Sequence, residues 1–499
     1  MICSSCNDPT DDATCKAAYP PAALCLAGAC TAGNCRLDTD CAAGEICGAE
    51  QANFCGKCTS DGQCHADPTY GAGFVCDVAK GTCVSSTCTA NDKACTANGA
   101  DFCCALKCVP GNCCVTADCT GNNQTCQKNV CTTCALVTNN TYYVDPKNGD
   151  DATGTGSNAA GGACDFKTIT RALEFLGPAP AAGTKIELLG AAAATETFPI
   201  TVPANVTIEG AVIGTPAVVT VPANMTAFHL GAPTSGLNNL IVDGAMATGT
   251  SGVLVSAGAT ATTTIVDVEI RNMAGNGINA SGGVLTIGSG TSVHNNGTAM
   301  LVANGLAVSG TAVVNVTVNT GGTAATFNDN TDHGIVVTGA GSVNIGGTLA
   351  PAVTASGNAY AALYIAQTPG MNVPANTVSN FQALNSTVGN GIYVSGGSHL
   401  TVRDSQTKGN KFSGVFVATY ANGATTSNDL SKIDLGLTTA AGGNTFQYAT
   451  GNGPNGGAGI CLTLAANAAQ TLNAAGNIFE SANCATTADT LVRSATCTG

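Results

Sequence analysis

The sequence contains no tryptophan, only 4% aromatic and 10% charged residues, and 17 basic side chains against 31 acidic ones. A formal charge of −14 with no basic run sets the chain against nucleic acid and against anionic membrane surfaces. No uncharged apolar stretch of roughly 18 residues is present, so no transmembrane segment is expected. The first ten residues, MICSSCNDPT, have neither the basic start nor the apolar core of a secretory leader; a presequence missing from this numbering, or a start inside a longer product, is the expectation. Cys3 offers a lipid-anchor position, although Ile2 is a poor residue before a lipidated cysteine.

What is abundant is cysteine, glycine and small residues. Of 28 cysteines, 24 lie at or before Cys134, a density that belongs in an oxidising, extracellular compartment. Three stretches repeat one order of Cys, Asp-rich loop, Cys, short loop, Cys, longer loop, Cys. They carry Cys35, Cys41, Cys47 and Cys55; then Cys58, Cys64, Cys76 and Cys83; then Cys114, Cys119, Cys126 and Cys131. These modules have too few apolar residues for cores of their own, so disulfides worth roughly 2–4 kcal/mol each are expected to hold them. Metal binding is the rival reading, because Cys55 and Cys58, and Cys131 and Cys134, have Cys-x-x-Cys spacing. Export favours disulfides, and no resident metal or other cofactor is expected here.

After Cys134 the composition changes to Gly, Ala, Val, Thr and Asn. A glycine followed by apolar, any, apolar recurs at Gly252, Gly277, Gly305, Gly334, Gly391, Gly414 and Gly459, with Ala362 between the fourth and fifth. A period in the twenties built on short strands indicates a solenoid. Leucine-rich repeats share the period, but their leucines and helical segments are missing. The fold class expected is all-β: a right-handed parallel β-helix of about eleven coils, spanning 138–499, behind a disulfide-rich, mostly irregular region over 1–137. Asn276, Asn304, Asn358 and Asn390, near the strand glycines, suit turns whose side-chain amides stack along the axis.

The opening of this region, YYVDPKNGDD…GTG…FKTITRAL, resembles the first motif of bacterial right-handed β-helix proteins of the pectin-lyase-like superfamily, in a family known as a domain of unknown function. The likeness continues through ETFPITVPANVTIEG, DLGL with GNTF, and AAGNIF. The proline usual before Phe-Lys-Thr-Ile is replaced by Cys164-Asp165. The four-cysteine modules, in turn, resemble repeats at the front of bacterial secreted and surface proteins, which implies a spacer or anchoring stalk. Physically, Tyr143 and Val144 begin the first strand, and Lys167 to Leu176 is expected as a short helix covering the open end of the first coil. The loop between them offers Asp145, Asn148, Asp150 and Asp151 as candidate calcium ligands, without EF-hand spacing; a solvated turn is the plainer alternative.

The fold class carries lyases, glycosidases and catalytically silent adhesins, so activity must be argued from a site. Asp329, Asp332 and His333 stand together in NDNTDHGI and are the candidate acid and base residues. Arg403, Asp404, Lys408 and Lys411 form the densest charge in the solenoid, with residue types that suit a lyase. If the apolar strand positions point inward, the residue between them points outward. That column reads Leu254, Asn279, Ala307, Val336, Tyr364, Tyr393, Phe416 and Cys461. Its three aromatics, with Arg403 and Lys411, make a candidate face for a glycan or a protein partner at the cell surface. The expected function is a non-enzymatic adhesive or structural protein; the alternative is a polysaccharide-active glycosidase or lyase. Cysteine parity raises a further possibility. Cys164 lies at one end and Cys461, Cys484 and Cys497 at the other, roughly 50 Å apart in eleven coils. Free thiols, a folded-back N-terminal region, or head-to-tail linkage of neighbouring chains would each account for two odd groups.

Overall fold

In the computed structural model, residues 139–446 are described with gaps of at most five residues, together with parts of 6–85, 101–137, 455–478 and 491–493. Cys3, Cys484 and Cys497 lie outside the described residues. The chain divides into two compact units, Met1–Leu136 and Val137–Gly499.

The first unit is built from disulfide-locked hairpins. In each, two antiparallel strands place cysteines directly opposite: Cys25 and Cys30, Cys47 and Cys55, Cys76 and Cys83, Cys126 and Cys131. Two preceding cysteines bond to these in an interleaved pattern. The pairs are Cys6–Cys25 with Cys15–Cys30, Cys35–Cys47 with Cys41–Cys55, Cys58–Cys76 with Cys64–Cys83, and Cys113–Cys126 with Cys119–Cys131. Their α-carbon separations of 5.3–5.8 Å are those of ordinary bridges. Two corrections to the sequence reading follow. The third of the expected modules opens at Cys113, and Cys114 belongs to another disulfide. A further module, built on Cys6, Cys15, Cys25 and Cys30, departs from the sequence pattern because its first interval is nine residues where the others have six.

The second unit is a β-helix of three parallel sheets, with 11, 11 and 9 strands. One coil runs through the first sheet, then the third, nine-stranded one, then the second, as in Val284–Ile287, Ser292–His294 and Leu306–Val308 respectively. The strands lie in register along the axis. In the second sheet, Ile278, Leu306, Ile335, Leu363, Ile392, Val415 and Ile460 form one inward column, and each is at most 1% exposed. Each such side chain contributes about 1.5–3 kcal/mol by leaving water. A one-residue slip would turn the whole column outward, so burial fixes the register.

The corners explain the asparagines. Where the third sheet ends, successive coils place Asn272, Asn295, Asp329, Gly357, Asn385 and Gly409 in the left-handed backbone region, with φ between 53° and 69°. Short polar side chains and glycine tolerate that conformation best. After Asn295, Asp329 and Gly357 the next residue is a buried asparagine, and these form a ladder: Asn296 Nδ2 donates to Asn330 Oδ1 at 2.9 Å, and Asn330 Nδ2 to Asn358 Oδ1 at 2.9 Å. Asn410 and Asn455 repeat the arrangement at 2.8 Å. Asn276 and Asn304 form a second, shorter stack at 3.0 Å, while Asn390 Oδ1 accepts from the Ser413 amide.

The first coil is closed by the helix Ile169–Leu176, which follows the strand Thr141–Val144. It starts two residues later than the sequence suggested. Thr168 serves as the N-cap, its hydroxyl accepting from the Arg171 amide at 3.0 Å, and the Glu196 carboxylate accepts from the Ile169 and Thr170 amides. Ile169, Ala172 and Phe175 face the core.

Candidate functional site

The outward column of the second sheet is paired as a continuous row from Leu254 to Cys461. Its aromatic segment is in ring contact: Tyr364 and Tyr393 have centroids 4.8 Å apart, and Tyr393 and Phe416 4.9 Å. These spacings equal the strand-to-strand distance of a parallel sheet, so the rungs of the fold set the rungs of the aromatic ladder. His333 extends the ladder by one place, its ring 4.7 Å from Tyr364 and inclined by 31°.

Beside the ladder, the corner loops that follow the asparagine positions make a rim. Asp332, Tyr360, Val388 and Phe412 come from four successive coils, linked by backbone bonds from the Tyr360 amide to Asp332 O, from Asn390 to Tyr360 O, and from Phe412 to Gly389 O. Ladder and rim enclose an open cleft of about 510 Å³. Gly389 lies on its floor, where a Cβ would stand 1.5 Å from the Tyr360 carbonyl oxygen; any side chain there would drive two rim loops apart. Of ten large hydrophobic side chains exposed among the described residues, Tyr360, Val388 and Phe412 line this rim, and Met300, Leu301 and Val302 occupy the corner loop one coil earlier. A grouping of that kind marks an interaction site rather than scattered surface.

The chemistry of the cleft is aromatic with one carboxylate. His333 Nε2 lies 3.3 Å from Asp332 Oδ1, and its Nδ1 is buried without a hydrogen-bond partner. Burial lowers the His333 pKa, against a smaller opposing effect of Asp332, so the imidazole is neutral at neutral pH. Burial raises Tyr364 and Tyr393, both of which stay protonated; Tyr364 also bonds to Ser395. No Lys or Arg is among the ten residues that line the cleft.

The other sequence candidates fall elsewhere. Asp329 is an exposed corner residue, one of the left-handed turn positions, and does not line the cleft with Asp332 and His333. Arg403 is a correction: it ends a strand of the first sheet, Leu400–Arg403, and pairs with Asp434 at 2.6 Å, so it is not part of the aromatic face. Asp404 is a corner residue and Lys408 ends a strand of the third sheet. Lys411 is exposed beside Phe412 but outside the cleft lining. The charge cluster of the sequence is therefore spread around one coil, because each corner turns the chain to a new sheet.

The candidate calcium loop is likewise divided among separate tasks. Asp145 accepts from the Lys147 and Asn148 amides and the Asn148 side chain, Asp150 from Ala152 and Thr153, and Asp151 from Lys167 and Thr168. These carboxylates organise turns and the approach to the capping helix. Cys55 and Cys58 belong to different disulfides, which removes thiolates from that Cys-x-x-Cys pair, and Cys131 and Cys134 are also disulfide-bonded. Cys164 and Cys461 are both disulfide-bonded too, so neither offers a thiol to a neighbouring chain.

Residues 251–431 match the family described as right handed beta helix region, in keeping with the pectin-lyase-like resemblance of the sequence. Among solved structures, the chain is similar to the A-module of mannuronan C-5 epimerase AlgE6 from Azotobacter vinelandii, at 16% identity and a TM-score of 0.37, over 60% of this chain and 87% of that one. It is also similar to the AlgE4 A-module of the same organism, at 16% identity and a TM-score of 0.34, over 62% and 91%. No curated protein matches.

Proposed function

We propose that this is an extracellular, cell-surface glycan-binding protein, in which disulfide modules form a stalk and the β-helix carries a saccharide cleft. The observation that supports the reading most directly is the row His333, Tyr364, Tyr393 and Phe416, spaced at one ring per coil beside an open cleft. Sugar rings present apolar C–H faces, and aromatic side chains with polar tips suit such ligands. A ladder along the helix axis matches an extended chain better than a single sugar. The density of disulfides supports an oxidising, extracellular setting.

Catalysis is the rival, because a neutral His333, 3.3 Å from the Asp332 carboxylate, is an acid–base residue type at the edge of the cleft. The remaining components argue for binding. Hydrolysis by paired carboxylates needs a second acid near Asp332, and elimination beside a uronate carboxylate needs a cation; the lining supplies neither. The test is affinity electrophoresis of the whole protein in gels containing soluble polysaccharides, with the same mixtures assayed for new reducing ends and unsaturated sugars. Retardation without products supports the proposal. Products that vanish in a His333→Gln variant would replace it with an enzyme.

A further inference from the structure

The cleft also carries information about which sugars it takes, an inference that rests on the glycan-binding reading above. Its ten lining residues include one carboxylate, Asp332, and no lysine or arginine. Four aromatic rings, Tyr360, Tyr364, Tyr393 and Phe412, complete the walls. A carboxylate among aromatic faces is a cation receptor: the charge attracts at longer range, and the negative faces of the rings attract once water is displaced. The whole chain, at −14, reinforces this preference and opposes polyanions. We infer that the cleft selects glycans built of 2-amino sugars, with the sugar ammonium facing Asp332 and the sugar rings lying along Tyr364 and Tyr393.

Neighbouring groups are consistent with this assignment. His333 Nε2 lies 3.3 Å from Asp332, and burial keeps the imidazole uncharged, so it does not cancel the Asp332 charge. Arg403 is held by Asp434 in another sheet, and Lys411 stands outside the lining. A uronate polymer would bring a carboxylate towards Asp332 with no partner to receive it. An N-acetylated sugar would stack equally well but would leave Asp332 without a cation.

Calorimetric titration of the full chain with three tetrasaccharides separates these cases: glucosamine, N-acetylglucosamine and galacturonate. The expected result is that the glucosamine tetramer binds at least tenfold more tightly than its acetylated counterpart, that its affinity falls with added salt, and that galacturonate does not bind. In an Asp332→Asn variant with unchanged thermal unfolding, the preference for glucosamine falls toward unity. Equal or tighter binding of the acetylated tetramer, or binding of galacturonate, overturns the amino-sugar inference while leaving the glycan reading intact. Failure of all three, together with no retardation by any neutral polysaccharide, overturns both.

Discussion

Asp165 carries a cost that a single substitution removes. It is fully buried where the chain folds back under the first strand; its Oδ1 accepts from the Asn158 amide at 2.8 Å, and its Oδ2 has no partner. Desolvation, with a further contribution from Asp145, raises its pKa from 3.8 to about 6. A carboxyl group that holds its proton more tightly when folded stabilises the protein below its unfolded pKa and loses that contribution as pH rises through the folded one. The span from 3.8 to about 6, at roughly 1.4 kcal/mol per tenfold in proton affinity, amounts to about 3 kcal/mol lost between pH 3.5 and pH 7. Asp165→Asn keeps the shape and removes the titration. The stability difference between variant and wild type, measured by denaturant unfolding across that range, should move in favour of the variant by about 3 kcal/mol as pH rises. Comparing the difference at two pH values cancels whatever the amide does by itself. A difference that stays flat, or that moves in favour of the wild type, refutes the assignment of Asp165 as a buried, penalised acid.

Asn330→Ala should cost about 3 kcal/mol of stability, because it strips the Asn296 side-chain donor and the Asn358 acceptor of their buried partner; loss of less than about 1 kcal/mol in unfolding experiments would mean that the ladder contributes little. Tyr393→Ala removes the ring between Tyr364 and Phe416 and should weaken saccharide binding about tenfold, as read by titration, while its two lost ring contacts cost roughly 1–3 kcal/mol in unfolding. His333 should titrate below 6.5 by NMR, and because its folded pKa is depressed the protein should lose that part of its stability as pH falls from 6.5; a midpoint above 6.5 would place Asp332, rather than burial, in control. Partial reduction with mass mapping should join Cys113 to Cys126, and a Cys114–Cys126 link would contradict the module register.

Much of this architecture was legible from periodicity. The strand glycines and the alternation after them placed eight outward residues on eight successive coils, and those residues pair in that order. The site was legible only in halves. Asp332 and His333 were read as one group and Tyr364 and Tyr393 as another, because the corner that folds each rim loop onto the next coil's strand leaves no mark in local spacing. Arg403 was misplaced for the same reason: eight residues from Lys411 in sequence, it is separated from that residue by two corners. Asp329 looked catalytic because Asp, Asn and Gly are also the residues a left-handed corner selects. A signal for Cys113 was present, since Cys35 to Cys41 and Cys58 to Cys64 are both six residues apart, as are Cys113 and Cys119. The buried ladder of Asn296, Asn330 and Asn358 was available too, as an asparagine directly after the corner residues Asn295, Asp329 and Gly357.

The central claim is that the aromatic row beside Asp332 holds an extended glycan without transforming it. Its most direct test is a crystal structure of the protein soaked with a glucosamine tetramer, taken with product analysis of the soaking solution. The account predicts intact sugar rings lying along Tyr364 and Tyr393 with an amino group within hydrogen-bond reach of Asp332. An empty cleft at saturating sugar, a ligand bound on another face, or cleaved product in the solution would contradict it.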